Sequence, residues 1–108
     1  AQGFALTGSA LYNQQAGATL ITASADGVGS DPALTTGSIR LSGTKTFTAG
    51  ANYTFSGTAA QTTGNLMGTT IGNLTIANTG TTNNTVTLST TGTTVTTLNL
   101  NSGVLACG

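Results

Sequence analysis

Residues 72–105 read GNLTIANTGTTNNTVTLSTTGTTVTTLNLNSGVL, and this stretch decides the fold. It contains three tripeptides of the form apolar, polar, apolar: Leu74-Thr75-Ile76, Val86-Thr87-Leu88 and Leu98-Asn99-Leu100. Alternate side chains of a β-strand point to opposite faces, so each tripeptide would bury two side chains and expose one. Glycine and asparagine, which favour turns, separate the three. The stretch therefore predicts short strands joined by turns.

The same pattern occurs twice earlier, at Ile39-Arg40-Leu41 and Tyr53-Thr54-Phe55. No window has apolar residues at helical spacing over the length of a helix. The last three tripeptides are evenly spaced, with centres at Thr75, Thr87 and Asn99, whereas the earlier gaps are wider, so the predicted repeat is imperfect. Evenly spaced strands with a thin apolar face predict an all-β chain, a parallel β-solenoid segment in which each coil covers the next. A small β-sandwich completed by an exchanged N-terminal strand fits almost as well.

The composition is Thr-rich, with 26 Thr beside 16 Gly, 9 Asn and 8 Ser among 108 residues. Branching at Cβ suits threonine to strands, and glycine and asparagine supply positive-φ turns. Charged side chains are only 4% of the chain and the formal net charge is zero, so we expect no nucleic-acid partner. The apolar runs are far shorter than the roughly 20 residues of a membrane span. Low charge also leaves little repulsion between copies, which permits a homo-oligomer or filament joined through strand edges.

Four segments carry a family likeness: GATLITASADGV (17–28), TGSIRLSGTKTFTAGANYTFSGTAAQTTG (36–64), GNLTIANTG (72–80) and VTLSTTGTTVTTLNLNSGVL (86–105). Together they resemble the repeat region of large secreted bacterial β-solenoid surface proteins, which are often described as adhesin-like. The resemblance implies a stacked β architecture that is exported to the cell exterior and has no attached chemistry. Residues 1–16 match the family poorly, and Asn65-Leu66-Met67-Gly68 stands where a proline-containing turn is expected.

The chain is interpreted as one β-rich domain or segment, 1–108, with a repeat region over 17–108. Residues 1–16 are either an ordinary part of the sheet or an N-terminal arm that pairs with another copy, because edge strands are templates for strand addition. The candidate assembly residues alternate weakly along this segment: Phe4, Leu6, Ala10 and Tyr12. Since the sequence opens on alanine and not on methionine, we expect a processed or excised piece.

Candidate catalytic and metal-binding groups are few. Ser42-Gly43-Thr44-Lys45 fits the S-x-x-K pattern of acyl-transfer serine enzymes, which works on a helical face, whereas the glycine and alternating threonines here predict a turn and a strand. Cys107 has no histidine to activate it, because the sequence contains none. Asp26 and Asp31 share a glycine-rich loop and are a calcium candidate, but calcium takes about 6–8 oxygen ligands. We therefore predict no enzyme, no catalytic residue, no cofactor and no metal beyond that candidate.

These observations predict a non-catalytic, extracellular structural module of a bacterial surface protein or self-assembling fibre, located outside the cell or on its surface. The alternative is an adhesive module that binds carbohydrate, such as surface glycans, or ice. An exposed Tyr12 would favour adhesion, and a Tyr12 packed on a neighbouring copy would favour assembly. The predicted inward scaffold is formed by the following residues: Ile39, Leu41, Phe47, Tyr53, Phe55, Leu74, Ile76, Val86, Leu88, Leu98 and Leu100.

Overall fold

The described structure is built from short strands. A computed structural model describes residues 5–30 and 36–107. Its strands are β1 (Leu6–Gly8), β2 (Tyr12–Gln14), β3 (Thr19–Thr22), β4 (Ile39–Leu41), β5 (Lys45–Phe47), β6 (Asn52–Phe55), β7 (Gln61–Thr62), β8 (Thr70–Ala77), β9 (Thr85–Thr87), β10 (Thr94–Ser102) and β11 (Val104–Ala106). No helix occurs in these ranges, so the prediction of an all-β chain is confirmed for them.

Every strand pair in the described residues is parallel. The sheets have the orders β1-β4, β2-β5, β10-β8-β6-β3 and β11-β9-β7. Parallel strands need long crossover connections, and we call the chain between one strand and its parallel neighbour a circuit. A β-sandwich of the usual kind is built from antiparallel pairs instead. The prediction of parallel sheets is confirmed.

The four-stranded sheet explains the spacing of the apolar tripeptides. Thr54 pairs with Thr75, and Thr75 pairs with Asn99, so each of these two steps is one circuit. Thr87, midway between Thr75 and Asn99, belongs to a different sheet with β7 and β11. The step from one of the last three tripeptides to the next, as from Thr75 to Thr87, therefore spans half a circuit. The wide gap from Thr54 to Thr75, interpreted from the sequence as an imperfection, is itself one circuit.

The first circuit is longer than the later ones. β1, β2 and β3 pair with β4, β5 and β6, as in Leu6 with Ile39 and Leu20 with Tyr53. The segment around Val28 lies between β4 and the three-stranded sheet of β7, β9 and β11. The Ile39 N–H donates to the Val28 carbonyl at 2.8 Å, and the Val28 N–H donates to the Thr63 carbonyl at 3.0 Å. Main-chain hydrogen bonds thus link the β1–β4 sheet to the β7–β9–β11 sheet.

The core lies between the sheets and is formed by side chains from successive circuits. Thr22, Phe55, Ile76 and Leu100 are neighbours across the four-stranded sheet, and the first three are fully buried. The buried apolar residues are Val28, Ile39, Leu41, Ala51, Tyr53, Phe55, Met67, Ile71, Leu74, Ile76 and Val86. Phe47 and Leu88 are partly buried against this core. Nine of the eleven predicted scaffold residues thus lie in or against the core.

Leu98 and Leu100 differ from the prediction. They are the β10 partners of the buried Leu74 and Ile76, yet they are 47% and 58% exposed. β10 is the last strand of its sheet, so no further described strand covers their outer side. The alternating pattern correctly assigns their face, but burial also requires a neighbouring circuit.

Candidate functional site

The predicted assembly residues occupy the first circuit of the fold. Leu6 lies on β1 and is 49% exposed, Ala10 is exposed between β1 and β2, and Tyr12 lies half-buried on β2. Phe4 falls outside the described residues. The described part of the 1–16 segment pairs within its own chain, through β1 with β4 and β2 with β5.

Large exposed apolar side chains concentrate at the two ends of the strand stack. In the described ranges, three belong to the first circuit and three to the last: Leu6, Leu11, Ile21, Leu98, Leu100 and Val104. The middle circuits contribute none to this set. Leu6 pairs with the buried Ile39, and Leu98 pairs with the buried Leu74. We call a row of core side chains from paired strands a column, so Leu6 and Leu98 each lie in a column next to its last buried member. We call the surface of Leu6 and Leu20 the head, and the surface of Leu98, Leu100 and Leu105 the tail.

An aromatic row joins the first circuit to the second. The ring of Tyr12 lies 5.3 Å from that of Phe47, which lies 6.5 Å from the ring of buried Tyr53. The Tyr12 hydroxyl donates to Gln14 Oε1 at 3.0 Å. Burial raises the pKa of both tyrosines, and the Tyr12 phenol adds to the increase at Tyr53. Tyr12 is thus half-buried against its own chain. This arrangement is neither the exposed side chain expected for adhesion nor the contact with a neighbouring copy expected for assembly.

A buried amide network fixes one corner of the fold. Gln61 Oε1 accepts hydrogen bonds from the Gly57 N–H at 2.9 Å and from Asn78 Nδ2 at 3.1 Å. Gln61 Nε2 donates to the carbonyls of Ser24 at 2.9 Å and Thr22 at 3.3 Å. All four hydrogen-bonding positions of the Gln61 amide are used, so this side chain ties three successive circuits together.

We expect Gln61→Glu to lower the free energy of unfolding by about 2–4 kcal/mol at pH 7, because a buried carboxylate would face two carbonyl oxygens and lack the amide donor. Burial and those oxygens should raise the folded-state pKa of the new carboxyl above its ordinary value of about 4.3. A raised pKa means that the penalty applies above the folded-state pKa and shrinks as the pH falls through it. Urea unfolding at pH 7 and pH 4 measures both quantities.

The matched control is Gln15→Glu, since Gln15 is exposed. We expect it to change the free energy of unfolding by no more than about 0.5 kcal/mol at either pH. A Gln61→Glu penalty that is the same at pH 4 and pH 7, or one no larger than that of Gln15→Glu, would contradict the role given to the network.

The charged side chains of the middle circuits bind main-chain carbonyls. Lys45 Nζ donates to the carbonyls of Leu41 at 2.8 Å and Gly43 at 3.2 Å, and Arg40 Nε donates to the Gly37 carbonyl at 2.9 Å. Ser42 Oγ donates to the Gly8 carbonyl at 3.3 Å. Ser42 and Lys45, the S-x-x-K pair, therefore direct their polar atoms to different carbonyls.

The remaining reactive groups are dispersed. Asp26 is exposed in a turn, and its calcium-candidate partner Asp31 lies outside the described residues. Within the described ranges, no three histidine, cysteine, aspartate or glutamate side chains are close enough to hold a metal ion. Cys107 is an exposed free thiol at the end of the last circuit.

The outward face of the four-stranded sheet is uncharged and largely hydroxyl- and amide-bearing. Ile21, Thr54, Thr75 and Asn99 form one row across β3, β6, β8 and β10. Asn99 Nδ2 donates to Thr75 Oγ1 at 3.4 Å. Part of this polar surface is therefore occupied in linking neighbouring strands.

Over the part of the chain that the structure describes, no helix has the length and apolar character needed to cross a membrane. Comparison with models of protein families, with curated proteins and with solved structures finds no match to this chain.

Proposed function

We propose that this chain is a non-catalytic structural module of an extracellular bacterial surface protein or fibre, built as a segment of a parallel β-solenoid. The observation that carries the proposal is the stacking of inward side chains in columns from circuit to circuit. Leu20, Tyr53, Leu74 and Leu98 form one such column, in which Tyr53 and Leu74 are buried. A column of this kind transmits load along the stack because each circuit rests on the next.

The order of the strands supports a solenoid. In the four-stranded sheet, neighbouring strands follow the order of the chain, from β3 to β6, β8 and β10. Each paired position lies one circuit after the last, as in Ile21, Thr54, Thr75 and Asn99. One circuit of a solenoid supplies one strand to each sheet, and its core is buried against the neighbouring circuits.

A structural role is also supported by how polar groups are used. Among the described residues, no buried side-chain nitrogen or oxygen lacks a hydrogen-bond partner. Gln61, Asn78 and Lys45 all bind main-chain carbonyls, so their chemistry is directed to the fold itself. The extracellular, bacterial assignment rests on the resemblance of four segments within residues 17–105 to secreted surface repeats and on a Thr- and Asn-rich composition with few charged residues.

Single-molecule force spectroscopy tests the mechanical role. With the chain held between two marker domains, we expect it to resist and then lengthen in steps of one circuit, about 80 Å for the chain from Thr75 to Asn99 when fully extended. Ile76→Ala should lower the unfolding force because Ile76 is fully buried in a column. Thr75→Ala, on the same strand but facing outward, should leave the force nearly unchanged. Smooth extension without steps, as for an unfolded chain, would contradict the proposal.

Adhesion to carbohydrate or ice is the second candidate, and the uncharged outward row containing Thr54 and Thr75 favours it. The aromatic side chains Tyr53 and Phe55, which could stack on sugars, are buried instead. Adsorption of the labelled chain to glycan-coated beads or to ice, abolished by Thr54→Lys/Thr75→Lys, would support adhesion. Adsorption that this double variant does not change would exclude the row as its site.

A further inference from the structure

We propose that Asn83 is an acceptor site for an N-linked sugar, which is supplied by a glycosyl diphosphate. The sequence contains three Asn-x-Thr sequons, which begin at Asn52, Asn73 and Asn83. An acceptor sequon lies in a surface loop of a secreted protein. The inference therefore rests on the proposed extracellular function, and it assigns a modification to one corner of the module.

The Asn52 carboxamide is committed to the fold. Its Nδ2 donates to the Gly17 carbonyl at 3.2 Å, and its Oδ1 accepts a hydrogen bond from the Asn73 N–H at 2.7 Å. These two bonds join three successive circuits, because Gly17 precedes β3 while Asn52 and Asn73 lie on β6 and β8. A sugar on Asn52 Nδ2 would displace this contact, so we expect no modification of Asn52 in the folded chain.

The sequon at Asn73 lies inside a strand. Asn73 is exposed, but β8 is paired with β6 on one side and with β10 on the other. The middle residue of this sequon, Leu74, is fully buried. An enzyme reaches only the outward side of this segment unless β8 leaves the sheet, and the opening of a central strand is a rare event.

The third sequon lies in the longest of three equivalent corners. These corners connect the four-stranded sheet to the three-stranded sheet, and residues that are neighbours from circuit to circuit bound them: Phe55 and Gln61, Ile76 and Val86, and Leu100 and Leu105. The middle corner spans ten positions, whereas the corners before and after it span six and five. Extra residues within one repeat form surface loops, so the β8–β9 loop (78–84) extends beyond its neighbours.

The base of the β8–β9 loop is anchored and its middle is open to solvent. Asn78 Nδ2 donates to the Ala59 carbonyl at 2.6 Å, and Asn78 Oδ1 accepts a hydrogen bond from the Gly80 N–H at 2.9 Å. Asn78 is itself buried, so these bonds hold the start of the loop against the preceding circuit. Residues 81–83 are exposed.

Asn83 lies where the loop is about to rejoin the stack. The Val104 N–H donates to the Asn84 carbonyl at 3.0 Å, and Thr85 begins β9. Asn83 is exposed, and within the described ranges no side-chain hydrogen bond occupies its carboxamide. A sugar on Asn83 Nδ2 would therefore project into solvent and leave the packing between circuits unchanged.

The reaction is a glycosyl transfer that a separate transferase catalyses. Asn83 Nδ2 attacks the anomeric carbon of a sugar that carries a diphosphate leaving group. The carbon–nitrogen bond forms as the carbon–oxygen bond to the diphosphate breaks, the diphosphate keeps the bonding electrons, and the amide nitrogen loses one proton to the transferase. The Thr85 hydroxyl completes the signal that the transferase recognises. Nucleotide sugars and lipid-linked sugars both provide this leaving group.

The test uses the folded full chain, produced in a bacterial host that lacks such transferases. One arm supplies a soluble sequon-specific transferase with UDP-glucose, and the other supplies a membrane oligosaccharyltransferase with its lipid-linked oligosaccharide. We expect at least one arm to add a single sugar unit, measured by intact mass and located by peptide mass spectrometry. Modification at Asn83 should exceed that at Asn52 or Asn73 by about tenfold or more, because paired strands must open first. The arm that succeeds identifies the class of donor.

Four variants separate the sequon from its surroundings. Asn83→Gln removes the acceptor and Thr85→Ala removes the sequon hydroxyl, so each should abolish the modification. Thr85→Ser keeps the sequon and should restore it. Asn73→Gln is the matched control, since Asn73 is also exposed, and it should be modified like wild type. Circular dichroism checks that each variant is folded.

Three results would overturn the inference: a folded chain that neither arm modifies, modification of Asn52 or Asn73 as strong as that of Asn83, or modification that persists in Asn83→Gln or Thr85→Ala. None of these would affect the stepwise unfolding of the unmodified chain under force. Failure of the acceptor site is therefore distinguishable from failure of the proposed function.

Discussion

Phe55→Ala is expected to lower the free energy of unfolding by about 3–5 kcal/mol, the range for truncating a buried aromatic side chain to alanine. Phe55 is fully buried and lies between Thr22 and Ile76 in a core column. Its loss would leave a cavity that neighbouring strands cannot close, because main-chain hydrogen bonds fix their separation. Since small domains are stable by only about 5–15 kcal/mol, the variant should unfold at a much lower urea concentration.

Thr54→Ala is the matched control, because Thr54 is the adjacent residue on β6 and faces outward. We expect it to cost no more than about 1 kcal/mol, the scale of one cross-strand pair on an open face. Equal losses for Phe55→Ala and Thr54→Ala would show that β6 does not bury one face, and would contradict the column.

Gly64→Ala is expected to cost about 2–5 kcal/mol, the sum of left-handed backbone strain and overpacking. Gly64 has a φ of 78° and forms a parallel bridge with Gly29 of the preceding circuit. A Cβ at Gly64 would overlap the Gly29 carbonyl oxygen and lie 2.7 Å from its nitrogen. The two backbones would have to separate, and the contact between these circuits would be lost.

Gly92→Ala isolates the part of this loss that comes from packing. Gly92 has a φ of 71°, close to that of Gly64, but a Cβ there would meet no atom within 4 Å. Its cost should be confined to the backbone strain, about 1–2 kcal/mol. Urea midpoints of the two variants measure the difference, and equal midpoints would contradict the close approach of the circuits at Gly64.

The strands could be predicted from the sequence because alternation is a local signal. Ile39-Arg40-Leu41 coincides with β4, and Leu74-Thr75-Ile76 lies within β8. Their partners could not be predicted, because alternation assigns a face and carries no information on which strand lies beside it. The step from Thr54 to Thr75 therefore looks irregular in the sequence and becomes one circuit only when the register is known.

The buried polar and gap-filling residues were not predicted. Gln61 is nearly fully buried although it sits in a threonine-rich stretch, and its burial depends on carbonyl groups from the first circuit, such as that of Thr22. Met67 and Val28 are fully buried outside any named strand, where no period marks them. Long-range contacts of this kind leave no local pattern in the sequence.

The role of Leu6 and Tyr12 in assembly stays a prediction. The structure places both in the first circuit, on strands that pair with β4 and β5 of the same chain. Leu98 and Leu100 were predicted as scaffold, and they do continue the core columns, but β10 is the last described strand of its sheet and leaves them exposed. A pattern of apolar residues cannot distinguish a middle circuit from a last one.

The central claim is that successive circuits pair in parallel register, and nuclear Overhauser contacts in the isotope-labelled chain test it most directly. The structure predicts amide-to-Hα contacts that join the segment around Thr54 to that around Thr75, and the segment around Thr75 to that around Asn99. Short Hα–Hα contacts between directly opposed residues, which are typical of antiparallel strands, should be missing from this sheet. Strong Hα–Hα contacts between β6 and β8, or contacts joining neighbouring strands in hairpins, would contradict the stacked architecture.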